Sequence, residues 1–323
     1  LMFPRNESSL VAYSNSAAAA TIAAEKLNKD KILPAGSNIS FVWRYEECVE
    51  STAAGYAYEL IEDDQVDLLV APPCIDAAVV AGHVATYYNI PVTLWGVTFA
   101  TTLSDDTMYP TIMSVVPNYR DMATVTCEVM KHFNWQQFSF IYQADPDGGC
   151  SYYQKDFEDV INNRSDCIVS FKDIVDSWAP EDINYTLTQM RSKSRIVVLC
   201  FDDQDQLRSF ALALYDEGMY TDDYVFIIPD SDMSKSVGLD VAPFWIDQFT
   251  PSDGRNADAA KVGKQVFQVS FELHIDAGEK ADDKLLSFSK DLMTKMSQWP
   301  FYCLDCNKGQ SVSLPFFKAV LKL

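Results

Sequence analysis

The sequence is poor in the residues on which most catalytic and metal sites are built. Its 323 residues hold three histidines, His83, His132 and His274, too few and too scattered for a metal cluster or an evident triad. There is no Gly-x-Ser-x-Gly elbow, no Gly-x-Gly-x-x-Gly after a strand and no phosphate loop. Basic residues are scarce as well, 25 Lys and Arg against 46 Asp and Glu, for a formal net charge of -21. So acidic a surface repels phosphate backbones and anionic headgroups, which argues against nucleic acid or a membrane surface as partner. A run of about 18 apolar residues is missing, and no signal peptide opens at Leu1. The expectation is a region without catalytic turnover, metal or cofactor, reaching a membrane only through a segment absent from this chain.

Three local features invite chemistry and have plainer readings. His132 lies at a helix end in Lys131-His-Phe-Asn-Trp135, where a cation complements the helix dipole. Asp145-Pro-Asp147-Gly-Gly resembles a calcium loop but lacks the downstream bidentate Glu, so it reads as a turn. Cys303-Leu-Asp-Cys306 has zinc or redox spacing with no second pair after it.

What the chain does have is core material and cysteine. It is 48% apolar and 13% aromatic, enough at this length for two lobes of ordinary domain size. Eight cysteines accompany four Asn-x-Ser/Thr sites at Asn6, Asn38, Asn163 and Asn184. Together they favour an oxidising secretory compartment and glycosylation. There Cys303 and Cys306 read as disulfide cysteines, their pairing left open with that of Cys167. Leu1-Met-Phe-Pro4 reads as the second half of a buried strand, and both ends read as cuts through a larger protein.

Strand-like and helix-like segments alternate. Helices are expected over residues 14–27, 50–63 and 77–88, and strands over 38–43, 66–70 and 90–95. The pattern restarts with helices over 119–133, 152–162, 182–192 and 204–217, and strands over 138–142, 168–171, 195–200 and 224–228. A last helix over 257–266 precedes a possible strand over 267–271 that returns the chain to the first sheet, followed by a helix over 282–299. Such alternation implies doubly wound parallel sheets. The expected architecture is α/β, with lobe 1 from residues 1–115 plus 270–323, lobe 2 from 116–269, and a cleft between them. Ligands of open α/β sheets sit beyond the carboxyl ends of the strands. The candidate ligand-binding residues there are Tyr45, Trp95 and Thr98 in lobe 1, and Tyr142, Asp145, Asp202 and Asp230 in lobe 2. Trp95 could equally be core, and the aspartates could cap the helices that follow them.

Cys48 and Cys74 each follow a strand of the first sheet, which favours a bridge between them. Cys150 and Cys200 meet the same condition in the second, whereas Cys167 precedes its strand and lies at the opposite edge. Cys127 falls on an apolar helix face with Ala123 and Met130 and reads as a buried free thiol.

A series of segments in order carries a family resemblance: Lys31-Ile-Leu-Pro34, Trp43, Cys48-Val-Glu-Ser51, Ala53-Ala-Gly55, Ala71-Pro-Pro-Cys74 and Ala85-Thr-Tyr-Tyr-Asn89-Ile-Pro91. It continues through Trp95-Gly96, Leu103-Ser-Asp105, Tyr109-Pro-Thr111, Phe133-Asn-Trp135, Ala242-Pro-Phe-Trp245 and Asp253-Gly-Arg255. The chain thereby resembles the ligand-binding region of receptor guanylyl cyclases, the nematode sensory type in particular, within the type I periplasmic-binding-protein-like receptors. The resemblance implies an extracellular sensor of a small-molecule, ion or peptide ligand, dimeric, on a single-pass plasma-membrane receptor whose cyclase domain makes cyclic GMP. The 26-residue separation of Cys48 and Cys74 suits the family's first disulfide. Natriuretic-peptide receptors, more distantly similar, hold chloride on backbone amides at a Gly-Cys step; here the step is Pro73-Cys74, and proline has no N–H to give. Peptide-binding relatives take their ligand at the dimer interface. A soluble decoy of the same fold is the alternative, and an α/β enzyme with an unrecognised site stands third.

Overall fold

The computed structural model describes residues 1–5, 11–143, 149–162, 164–230, 243–247, 252–270, 281–303 and 306. The chain divides into two compact units, one built on Leu1–Pro117 with the C-terminal part from Glu272, the other on Asn118–Asp232 and Asp240–Phe271.

The first unit begins with Met2–Phe3 (β1), Tyr13–Ser16 (α1), Ala18–Lys29 (α2) and Arg44–Tyr45 (β2). Glu50–Glu62 (α3), Leu69–Val70 (β3), Ile75–Tyr88 (α4), Val92–Leu94 (β4) and Ile112–Ser114 (β5) follow. β1 pairs in parallel with β2, and β3, β4 and β5 form a second parallel ladder. Leu1, Met2 and Phe3 are all buried, because alternate side chains of a strand enter two different cores. Met2 packs with Ala57 and Leu60 of α3 and Ala78 and Ala81 of α4. Leu1 and Phe3 pack instead with Ala18 and Ala19 of α2, and with Phe288 and Leu292 of the late helix Ala281–Met296. Helices therefore cover both faces of these strands.

Three details of this unit differ from the sequence reading. The helix expected over 14–27 is broken at Ala17, where the Ser16 hydroxyl donates to the Ala12 carbonyl at 2.6 Å. A hydroxyl bonded one turn back competes with the helical ladder. The strand expected over 38–43 is a two-residue β2 further on. Leu1–Phe3 supplies the backbone partners, and Val42, Arg44 and Glu46 use them. The short β5 was not anticipated; three residues just after Pro110-Thr111 give no readable period. α4 stops where expected, with Asn89 in the left-handed region at φ 57 and its Ile90 N–H reaching back to Ala85.

The second unit runs Tyr119–His132 (α5), Gln137–Gln143 (β6), Gly149–Ile161 (α6), Ile168–Val175 (β7), Pro180–Lys193 (α7) and Ile196–Cys200 (β8). Gln204–Asp216 (α8), Val225–Asp230 (β9), Asn256–Gly263 (α9) and Val266–Ser270 (β10) complete it. Its strand order is β7-β6-β8-β9-β10, parallel throughout. The last strand was expected to return towards the first sheet. It pairs instead along β9, Val266 beside Phe226, as the outer strand of the second sheet. β6 is buried on both faces. Phe138 and Phe140 stack against Tyr153 and Phe157 of α6, while Ile141 meets Leu187, Val197 and Phe210 on the other side. An ion pair between a buried guanidinium and an exposed carboxylate secures this unit. Arg208 on α8 grips Asp253 with two hydrogen bonds of 2.7 Å, and Asn256 accepts a third.

Four disulfides are present: Cys48–Cys74, Cys150–Cys200, Cys127–Cys167 and Cys303–Cys306. The free thiol read at Cys127 is a correction to make. A helix that feeds a strand runs antiparallel to it, so the later turns of α5 lie over the strand starts. Cys127 accordingly meets Cys167 just before β7, their Cα atoms 5.6 Å apart. The bridge closes 40 residues, worth about 4 kcal/mol in the chain-entropy treatment. Replacing both cysteines by Ala should lower the urea-unfolding free energy of the second unit by roughly 2–4 kcal/mol. Unchanged unfolding in the double variant would show the bridge to be idle.

Candidate functional site

Parallel strands place all their carboxyl ends on one edge, and in each unit that edge collects the polar and aromatic groups that core packing leaves over. In the first unit the chain leaves β1 at Pro4-Arg5, β2 at Glu46-Glu47-Cys48, β3 at Ala71-Pro-Pro-Cys74 and β4 at Trp95-Gly96. The Cys48–Cys74 bridge ties the second of these turns to the third.

Tyr45 is half-buried and lies between two neighbours. The Arg5 guanidinium sits 4.8 Å over its ring, and Tyr13 meets it edge-on with centroids 5.0 Å apart. Burial and the Tyr45 hydroxyl push the Tyr13 phenol above the ordinary tyrosine range. The Arg5 backbone N–H donates to Glu47 at 2.8 Å. This arrangement offers a cation, two phenols and a carboxylate to a polar ligand.

Trp95 and Thr98 are placed differently. Trp95 is 7% exposed, its indole N–H donating to the Ala71 carbonyl at 2.6 Å. Thr98 is 2% exposed and donates to the Trp95 carbonyl at 3.0 Å. Both build the wall that holds the β3 and β4 turns together. Gly96 completes the wall at φ +78, where an added Cβ would come 2.4 Å from the Pro73 side chain.

In the second unit the strand order puts the switch point at β6 and β8, which are neighbours with their next elements on opposite sides. Gln143 and Asp202 stand at their ends. Asp202 accepts from the Cys150 N–H with both oxygens, at 3.2 and 3.1 Å, and so caps the start of α6. The cap on the following helix, α8, is the neighbouring Asp203, which accepts from Asp205 and Gln206. Gly149 has no room for a side chain, since its Cβ would lie 2.2 Å from the Tyr119 hydroxyl. Tyr142 is buried beside Phe140, and burial raises its phenol. Asp230 closes β9 beside Ser270, its side chain outside the described residues, as is Asp145.

Of the seven residues read as ligand-binding, Tyr45 is thus the one whose exposed edge and neighbours form an open polar cluster within the described residues. Sequence reasoning placed Pro4–Asn6, and so Arg5, at this edge but missed Tyr13 and Glu46. The β1–β2 pairing brings Arg5 beside Tyr45, and α1 brings Tyr13; nothing local in the sequence marks either contact. Of the glycosylation sites, Asn38 lies in exposed coil, and Asn184 is exposed on α7 with its sequon Thr186 buried and bonded to Asp173. Asn6 and Asn163 lie outside the described residues. Among the described residues there is no group of three His, Cys, Asp or Glu arranged for a metal, and no helix long and apolar enough to cross a membrane.

Asp202→Ala should lower stability by about 1–2 kcal/mol through the lost α6 cap, measured by urea unfolding. No loss would free Asp202 for a role in binding.

Comparison with known proteins follows the same outline. Residues 15–297 match the model of the receptor family ligand binding region. The chain is 29% identical to receptor-type guanylate cyclase gcy-13 of Caenorhabditis elegans over 92% of its own length and 28% of that protein's. It is 29% identical to gcy-6 over 91% and 27% of the two lengths, and 27% identical to gcy-14 over 96% and 29%. The chain spans under a third of the length of these curated relatives.

Proposed function

The chain belongs to the receptor family ligand binding region, and from that premise we propose that it is the extracellular sensor of a single-pass receptor guanylate cyclase. The observation that carries the reading is the asymmetry of coverage. The likeness takes in 92% of this chain but 28% of a protein named as a receptor-type guanylate cyclase. That a relative named for its cyclase output is matched over only this fraction supports reading the chain as the binding module and not the output. Its own role is then to bind, and to shift the population of two conformations.

Several features support an extracellular position. Four disulfides among the described residues suit an oxidising compartment, and Asn38 is exposed for a glycan. The acidic surface fits a small-molecule, ion or peptide ligand better than an anionic polymer. The ligand's polar contacts fall to the Arg5, Tyr13 and Tyr45 cluster, and the receptor works as a homo- or heterodimer.

The test is cyclic GMP output of the full-length product in cells. Tyr45→Ala should shift the stimulus dose-response about tenfold or more to weaker sensitivity, the scale expected for one lost aromatic contact. Maximal output and surface level should hold. Unchanged sensitivity at normal surface level would remove the ligand from this edge. No cyclic GMP response in the unsubstituted protein would remove the cyclase reading itself and leave a binding protein without output.

A further inference from the structure

Glu46 is a feature that the receptor reading does not use. It follows β2 in the turn leading to α3, and it is fully buried. Neither carboxyl oxygen has a hydrogen-bond partner. The cations nearest along the chain are engaged elsewhere. Arg44 reaches Glu59 at 3.2 Å and Asp64 at 2.5 Å, and Arg5 covers the Tyr45 ring. The Leu1 ammonium at the start of β1 is bonded to the Val42 carbonyl, and among the described residues the other charged side chains flanking the turn are acidic: Glu47 in the same turn, Glu50 in the first turn of α3, and Asp76 in the first turn of α4 beyond Cys74. Glu7 lies outside the described residues.

The turn itself is held from three directions. The Glu46 N–H donates to the Phe3 carbonyl at 3.0 Å, Cys48 is bonded to Cys74, and the Val49 carbonyl accepts from Ala53 as α3 begins. Cys48 has φ +61, a left-handed conformation that a non-glycine residue adopts only under such constraint. The side chain of Glu46 is thus carried inward by backbone that cannot easily turn it out.

We propose that Glu46 is a proton-binding site of the first unit, filled when the turn between β2 and α3 is closed and emptied when the turn opens. A bare carboxylate without a partner is among the most costly groups to bury, and the molecule avoids that cost by keeping the proton on. Burial pushes the Glu46 carboxyl up to about 7 and the charge of Glu47 adds to the rise; the nearby Cys48 and Val49 amides, which fall outside hydrogen-bond geometry, pull the other way without offsetting it. The turn belongs to the edge that carries Arg5, Tyr13 and Tyr45, so any opening that exposes Glu46 to water would release its proton. This linkage holds whether or not the chain serves a cyclase.

The sign follows from the direction of the shift. A carboxyl that titrates higher in the folded unit than in the unfolded chain makes the folded state the better proton acceptor. Stability is then full near pH 4 and falls as the pH rises from about 4.5 to about 7. Above that window the contribution of this group is constant.

The experiment uses the 323-residue chain. Glu46→Gln and the unsubstituted chain should unfold alike near pH 4. By pH 8 the unfolding constant of the unsubstituted chain should exceed that of the variant by on the order of a hundredfold. The infrared spectrum of the unsubstituted chain should also keep a protonated-carboxyl band above pH 6, where ordinary Asp and Glu have ionised. That second measurement stands even if the variant fails to fold. A stability difference independent of pH, or no protonated carboxyl above pH 6, would overturn the proposal.

Discussion

The arrangement of this protein depends on parallel strand pairing. A parallel neighbour can be reached only by a crossover, so each strand must be followed by a helix that returns the chain to the starting edge. Helices then lie on both faces, and the strands between them have no wet side. Leu1-Met2-Phe3 and Phe138-Ser-Phe-Ile-Tyr142 are buried for this reason. The same constraint sends the carboxyl ends of each parallel ladder's strands to one edge of that ladder. The strand ends and turns there carry Arg5, Tyr45, Glu46, Gln143 and Asp202.

Within those edges, covalent and polar ties decide what is rigid. Cys48–Cys74 joins two turns of the first unit, and Trp95 stitches two more through the Ala71 carbonyl. In the second unit Cys150–Cys200 and the Asp202 cap hold the start of α6 to the end of β8. Arg208 and Asp253 act at the opposite extreme of cost. Both charges are paired with good geometry, and the Asp253 carboxyl is held far below the usual range by the guanidinium and the Arg255 amide. Glu46 has no such partner, and it is there that a proton takes the place of a counter-ion.

The alternation of helix and strand was legible in the sequence because each segment is long or strongly periodic. α5 and α8 carry Asn118 and Asp203 as caps, and β8 is a continuous Ile-Val-Val-Leu-Cys run. Strand partnership was less legible. Whether 266–270 pairs with its own sheet or another depends on tertiary packing, which no local pattern records. The pairing of Cys127 failed for a related reason, because only strand ends were considered and the direction of the helix over them was not. The candidate site was partly legible. Positions after strands pointed to Tyr45 and Asp202 but could not separate a wall residue such as Trp95 from an open one, since both follow an apolar strand. Tyr13 and Glu46 gave no signal at all. Their roles arise from which side of a turn faces inward.

The proposed function makes one claim above the rest: that this chain selects the stimulus. The direct measurement is a chimaera in which the chain replaces the matching 28% of gcy-13, with cyclic GMP followed under the recipient's own stimulus and under one that binds this chain. The account predicts that the chimaera answers that stimulus and loses the recipient's own response. A chimaera at normal surface level that keeps the recipient's response would contradict it.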